Sequence, residues 1–494
     1  MNEKSWIESQ IIPNEIEKYL NNGKDFINES EILAYLSNAS PEKGTVRAII
    51  AKALAIETLL PQETAMLLNV QDPDLLLEMQ DAALKIKLKV YDNRIVTFAP
   101  LYLNDYCVNN CSYCGLRKDN ISLQRKALSA TEIISEVETL AGKIGHKRLV
   151  LVYGEHPTAD VDYITESMRL VYGVKVKAGK GYGQIRRVNI NAAPMSVEKL
   201  KKLVNADIGT YQVFQETYHK ESYAKLHPAK TLKANYLWRL YTMHRAFEAG
   251  VDDVGIGALF GLYNWKFEVM GLLYHTIELE KKFGVGPHTI SFPRLEPALN
   301  TNFEGRGNYK VSDEEFKKLI TVLRLSIPYA GMILTARESE KLRRETLMLG
   351  CTQMDASSRI GVGSYSKEDF NQHQEGEGQQ FVLGDTRTLD ELIYELSCKG
   401  MITSFCTAGY RCKRTGKCIM DLLKNGDEGK FCKLNAILTF REWLDDFASP
   451  KTKIAGEKVI EKELMETKEK NPIAYPMLAQ YYERIKNGER DLYF

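Results

Sequence analysis

Nine cysteines are spread unevenly over the 494 residues, and their spacing is the first sign of chemistry. Three fall within eight residues, in the run Cys107-Val-Asn-Asn-Cys111-Ser-Tyr-Cys114. Thiolates this close suit three corners of a 4Fe–4S cube, the usual ligation of clustered cysteines. The fourth iron then has no protein ligand and is open to a small chelator with amino and carboxylate groups. S-adenosylmethionine (SAM) is such a molecule. One electron from the cluster breaks its sulfonium to a 5′-deoxyadenosyl radical. Zinc is the competing occupant, but zinc sites usually take four ligands at wider, paired spacing. Tyr113, directly before the third cysteine, is placed to shield the cofactor adenine.

Other polar groups recur at the ends of β-rich runs. Gly154-Glu155 closes one of them. The glycine lets a ligand approach the backbone, and the carboxylate can take the SAM ammonium. Arg186 and Arg187 open the next run, and either can pair with the SAM carboxylate in a bidentate fork. Gln215-Glu216-Thr217-Tyr218-His219 ends a further run with five polar groups. That is unlike plain packing, so Gln215, Glu216 and Tyr218 are read as substrate-binding residues. His275 lies mid-helix in Leu272-Leu273-Tyr274-His275, where a packing histidine is the ordinary reading.

These groups need a scaffold. From about residue 95, eight β-rich runs alternate with helical patterns: Ile95–Tyr102, Arg148–Tyr153, Arg187–Ala192, Thr210–Gln215, Asp253–Phe260, His288–Pro293, Gly331–Thr335 and Met354–Ile360. The pattern predicts an α/β chain built on a (β/α)8 TIM-type barrel. Its active site is expected where the strands end, which is where the first cysteine loop falls. A doubly wound sheet is the alternative, but no glycine-rich dinucleotide fingerprint follows the first strand. Residues 1–94 read as a helical preface. Its apolar residues recur at helical spacing, and Ser40-Pro41 and Asp72-Pro73 look like helix starts. Residues 95–363 make the barrel. Residues 364–494 form a Cys-rich, mainly helical C-terminal domain, opening with a polar stretch over 364–380 that reads as a linker.

The quoted residues carry a resemblance. The cysteine loop resembles that of the FeFe-hydrogenase maturase family of radical SAM tyrosine lyases. So do GTYQVFQETYHKESYAKLHP (209–228), DDVGIGALFGLYNWKFEVMGLLYH (252–275) and FGVGPHTISFPRLEPA (283–298). The resemblance covers nearly the whole chain. It implies a lyase with a 4Fe–4S cluster and SAM that cleaves the Cα–Cβ bond of tyrosine to p-cresol and dehydroglycine. It further implies CO and cyanide formation at a second Fe–S cluster in the C-terminal domain, with an extra iron that His275 matches by position. Partners would be an electron donor and other maturase proteins.

The C-terminal motif departs from the family's. The family reads C-x2-C-x22-C, whereas this chain reads Cys406-Thr-Ala-Gly409-Tyr-Arg with Cys432 in third place. Cys412 and Cys418 lie nearby. Three readings stand. One of these two cysteines replaces the missing thiolate; or all four bind a closed cluster or zinc; or they are free thiols. Four cysteines within 27 residues of a reduced compartment favour a metal over free thiols. The whole-chain alternatives are a related lyase serving another pathway without CO or cyanide output, and a non-catalytic Fe–S carrier.

Composition narrows the setting. Lys+Arg total 66 against 65 Asp+Glu, so no bulk charge favours nucleic acid or an anionic membrane. No apolar stretch is long enough to span a bilayer. The start carries Glu3, Lys4 and Glu8 and is not a secretory signal. A cytoplasmic setting is expected, where cysteines serve as ligands rather than disulfides.

Overall fold

The structure is a computed structural model. It describes residues 3–298, 301, 308–366, 380–412, 414–425 and 428–494. Most of the polar 364–380 stretch lies outside these.

Residues 3–91 form a series of helices that bury apolar faces. Lys43–Leu54 buries Val46, Ile49, Ile50 and Ala53, and Pro73–Tyr91 buries Leu75, Met79, Ala82, Ala83 and Ile86. The Asp72 carboxylate caps its helix by accepting from Asp74 N and Leu75 N at 3.0 and 3.1 Å, with Pro73 at the first position. Ser40-Pro41 starts no helix. The next one begins at Lys43, and Glu42 gives it no side-chain cap.

Eight parallel strands follow: β1 (Arg94–Asn104), β2 (Arg148–Tyr153), β3 (Arg187–Asn191), β4 (Thr210–Gln212), β5 (Asp253–Gly257), β6 (Thr289–Ser291), β7 (Gly331–Leu334) and β8 (Gln353–Asp355). Each pairs with the next, and β8 returns to β1 with Val96 opposite Gln353, so the sheet closes into a barrel. Closure leaves no free edge among the eight. A ninth strand, β9 (Ile402–Ser404), pairs with the lower end of β1, from Arg94 to Val96. Helices cover the outside, among them Val161–Gly173, Val197–Asn205, Trp265–Phe283 and Asp313–Ser326.

Inward residues alternate along each strand. Phe98, Val150 and Ile333 meet as an apolar belt inside the barrel. The chain after β9 closes the end where the strands begin. There the helix Glu428–Asp446 presents Glu442, whose carboxylate lies 3.0 Å from Lys147 and 2.8 Å from Arg186. Those cations stand just before β2 and β3. Arg490 and Asp446 form a second pair at 2.6 Å, both fully buried. Trp443 donates from its indole to the Ile144 carbonyl at 3.3 Å. The two cysteine groups therefore sit at opposite ends of the barrel: 107–114 at the mouth, 406–432 at the floor. No helix among the described residues is long and apolar enough to cross a membrane.

Candidate active site

A cavity of about 230 Å³ fills the mouth. Cys107, Cys111 and Cys114 line it together with Tyr113, Gly154, Glu155 and Glu216.

The loop that carries the thiols is tied to the end of β2. Gly154 N donates to Asn104 O and Val108 N to Glu155 O, both at 2.8 Å. The approach is so close that a Cβ on Gly154 would stand 2.1 Å from the Tyr106 carbonyl oxygen. Asn109 donates to Glu155 at 2.6 Å and reaches the Cys107 sulfur at 3.6 Å. From beyond the barrel, Gln380 reaches the Cys114 sulfur at 3.6 Å while accepting from the Tyr102 hydroxyl at 2.8 Å. Such contacts orient metal ligands and tune a cluster. Tyr113 is fixed by His227 at 2.9 Å. The other ring nitrogen of His227 lies 2.8 Å from the Tyr223 carbonyl. Burial pushes His227 down to about 3, so it stays neutral. Burial also pushes the Cys107 thiol up, to about 11, and the Glu155 charge adds to this. Free of metal, the thiol keeps its proton, and iron displaces it on binding.

Facing the thiols is a buried group of alternating charge. Arg239 pairs with Glu155 at 3.0 Å and Glu216 at 3.3 Å, and Lys233 pairs with Glu216 at 2.6 Å. None of these side chains is more than 14 % exposed. Burial alone would raise the Glu216 carboxyl, but Lys233 and Arg239 more than reverse it and hold it ionised. Burial works against the Arg239 charge too, and Glu155 and Glu216 outweigh it. Two carboxylates and two cations in one dry pocket can exchange partners with a zwitterion, an ammonium going to a carboxylate and a carboxylate to a guanidinium. The donor set beside them suits a cube. Among the described residues no three His, Cys, Asp or Glu converge as ligands of one ion would. The thiols of a cube stand at separate corners and need not.

Glu216 reaches the cavity because its backbone is in the left-handed region, at φ 72°. Glu268 holds the turn by accepting from Tyr218 N at 2.8 Å and from the Thr217 hydroxyl. The same turn sends Tyr218 the other way. Its ring lies over Gly271, and its hydroxyl meets His275 Nδ1 at 2.9 Å. Tyr218 therefore does not line the cavity, and neither does Gln215, whose side chain is buried without a partner.

Two further expectations are corrected, and an open one is narrowed. Arg186 and Arg187 begin β3, and a parallel strand begins at the floor. Arg186 is bound by Glu442 at 2.8 Å and Asp491 at 3.1 Å, and Arg187 lies over the Tyr410 ring. Neither reaches the mouth. His275 is buried in the helix Trp265–Phe283 with Tyr218, Phe26 and His244 around it, outside the barrel and away from both cysteine groups. Burial holds it well below the usual histidine range. At the floor, Cys406, Gly409 and Cys432 line one small cavity with Arg94, Ser404 and Asn435. Cys412 instead faces the Phe494 carbonyl at 3.2 Å, and Cys418 is exposed.

Lys233, Arg239, His227 and Gln380 were missed by the sequence reading. Only Arg239 carried a local signal: it is a charge inside the apolar run Leu237-Trp238-Arg239-Leu240.

Comparison with known proteins agrees with the mouth's chemistry. The Radical SAM superfamily model matches residues 101–271, and the Biotin and Thiamin Synthesis associated domain matches 291–402. The 2-iminoacetate synthase of Salmonella typhimurium is 29 % identical over 72 % of this chain and 90 % of its own length. A solved HydG, a maturase of the [FeFe]-hydrogenase, is 46 % identical, with TM-score 0.89, over 95 % of this chain and 100 % of the other. HydG from Carboxydothermus hydrogenoformans is 35 % identical, with TM-score 0.75, over 98 % and 100 %. A radical SAM lyase with a 4Fe–4S cluster, SAM and a small-molecule substrate follows. The chain belongs to the HydG family of radical SAM maturases.

Proposed function

We propose that the mouth cavity cleaves the Cα–Cβ bond of L-tyrosine, giving p-cresol and dehydroglycine. The supporting observation is one cavity that places three clustered thiols opposite the Glu155–Arg239–Glu216–Lys233 group. A 4Fe–4S cluster with SAM bound there would supply one-electron, hydrogen-abstracting chemistry at the substrate amino group. Cys107, Cys111 and Cys114 would hold that cluster. Glu155 would take the SAM ammonium and Arg239 its carboxylate, with Glu216 and Lys233 keeping the pocket neutral as partners change. Tyr113, locked by His227, walls the adenine side. Arg337 lies across the cavity, stacked on Phe381 with its charge disfavoured by burial, and takes the substrate carboxylate. Gln380, Phe381 and Leu383 roof the cavity and keep water from the radical.

Each turnover takes two electrons from an outside donor, one to cleave SAM and one that, with a proton, completes p-cresol after the amino hydrogen has passed to 5′-deoxyadenosine. The maturase role carried by the relatives' names would add a second cluster at the C-terminal cysteines and partner maturases. Among the described residues the floor cavity offers two thiols, Cys406 and Cys432, one fewer than the mouth.

The test is direct. Anaerobically reconstituted protein given SAM, reductant and tyrosine should release p-cresol together with 5′-deoxyadenosine. Release of 5′-deoxyadenosine alone would exclude tyrosine as the substrate.

A further inference from the structure

The floor cavity is lined by two thiols, Cys406 and Cys432, with Gly409 between them in sequence. It measures about 10 Å³, room for about one water. The backbone does not demand glycine at 409. A Cβ there would meet nothing nearer than Arg414 O at 3.5 Å, and its φ is not positive. A side chain is therefore missing where one fits.

No other cysteine fills the gap. Cys412 faces Phe494 O, an atom that also accepts from Asn435 at 3.4 Å and from Arg414. Cys418 points to solvent on the helix Gly416–Asn425. Arg94 lines the cavity, and a second buried cation stands at the start of β2. Arg148 is 1 % exposed, and its guanidinium nitrogens have no hydrogen-bond partner. It stands in register with Arg187, over which Tyr410 is stacked. This is a setting for an anionic thiolate-bound group from which one corner has been removed.

We infer that this chain carries a single cluster, that the loss of one thiol at position 409 has emptied the floor site, and that the lyase releases its products rather than converting them there. A cube held by two protein thiolates leaves two irons open, one more than the mouth site leaves. The fate of the product rests on the tyrosine reading, whereas the iron count does not. Dehydroglycine, HN=CH–COOH, takes up one water at the imine carbon and expels ammonia, leaving glyoxylate. The reaction that uses it must therefore be this hydrolysis or a nucleophilic capture at the same carbon.

The experiment is iron and sulfide analysis with EPR on the full chain, reconstituted anaerobically. The parent chain should hold about four irons, all in a cluster whose spectrum SAM changes. A Cys107→Ala, Cys111→Ala, Cys114→Ala triple variant should hold none. Adding Gly409→Cys to that triple should restore about four irons, and adding Gly409→Ser should not. About eight irons in the parent, or a cluster retained by the triple variant, overturns the inference. So does a folded Gly409→Cys that gains no iron. With one cluster intact, p-cresol should appear with equimolar glyoxylate and no CO. CO production overturns the inference, whereas absence of p-cresol counts only against tyrosine as substrate.

Discussion

Replacing Gly154 by alanine tests whether the stitching of the cysteine loop to β2 positions the chemistry. The new Cβ would stand 2.1 Å from the Tyr106 carbonyl oxygen, and real contacts essentially never fall below 3.0 Å. The two backbones must part by at least 3.0 − 2.1 = 0.9 Å. Neither side moves freely. Gly154 N and Val108 N are held at 2.8 Å by Asn104 O and Glu155 O, and Tyr106 N is held by the Asn104 side chain at 3.0 Å. The displacement therefore passes to Cys107, the residue after Tyr106. A shift of about 1 Å in a positioned group costs roughly 10²-fold in rate. Overpacking itself costs about 1–3 kcal/mol of stability, which a chain of this size survives. The assay is 5′-deoxyadenosine formed per bound cluster, with Gly173→Ala as control, since a Cβ there meets nothing within 4 Å. The control should stay within about twofold of the parent, and Gly154→Ala should fall roughly 100-fold. A Gly154→Ala protein that cleaves SAM within about threefold of the parent would refute the reasoning.

Two stability predictions concern buried charge. At the floor, Arg186 and Lys147 share one carboxylate, and the pair is unequal: Lys147 is pushed down to about 8 by burial and by Arg186's charge, despite Glu442's attraction. Burial works against Glu442 as well, but Arg186 and Lys147 outweigh it and bring it to about 2. Glu442→Gln should cost about 3–5 kcal/mol by denaturant unfolding, and Lys147→Met less than about 1 kcal/mol; equal losses would show that the lysine carries the pair. Behind the mouth, burial raises Glu268 to about 8. The folded chain then binds a proton that the unfolded chain has lost, so stability falls as pH rises from the ordinary carboxylate range to about 8, by about 1.4 kcal/mol per unit at most. Subtracting the pH profile of Glu268→Gln isolates this slope, and a flat difference would place the carboxyl in contact with water.

The barrel was readable because each strand is a short buried β-rich run separated from the next by a helical pattern, and strand order needs no long-range information. The thiol loop was readable because its chemistry is local. The charge group facing it was not. Arg239 meets carboxylates 84 and 23 residues away, and only barrel closure brings Glu155 and Glu216 to one guanidinium. Arg186 and Arg187 were assigned to the wrong end, although strand direction alone sends the first residue of a parallel strand to the floor. Tyr218 was misplaced for another reason, while His275 packs as its mid-helix apolar setting predicts. The turn held by Glu268 separates neighbours in sequence into cavity and packing roles, and no periodicity reports a positive φ. The missing thiol at 409 was visible in the sequence, but only the surroundings of Cys412 and Cys418 tell whether another cysteine compensates.

The ceiling over the mouth is supplied by residues that come after the barrel. Gln380 touches both the Cys114 sulfur and the Tyr102 hydroxyl, and Phe381 and Leu383 stand beside it. An exchange of segments between relatives, whether in the laboratory or over evolutionary time, would sever this lid from its own cysteines if the crossover fell just past the last barrel strand. Hybrids joined beyond Asp385 would inherit thiols and cover from a single parent, and only those should keep their radicals from the solvent.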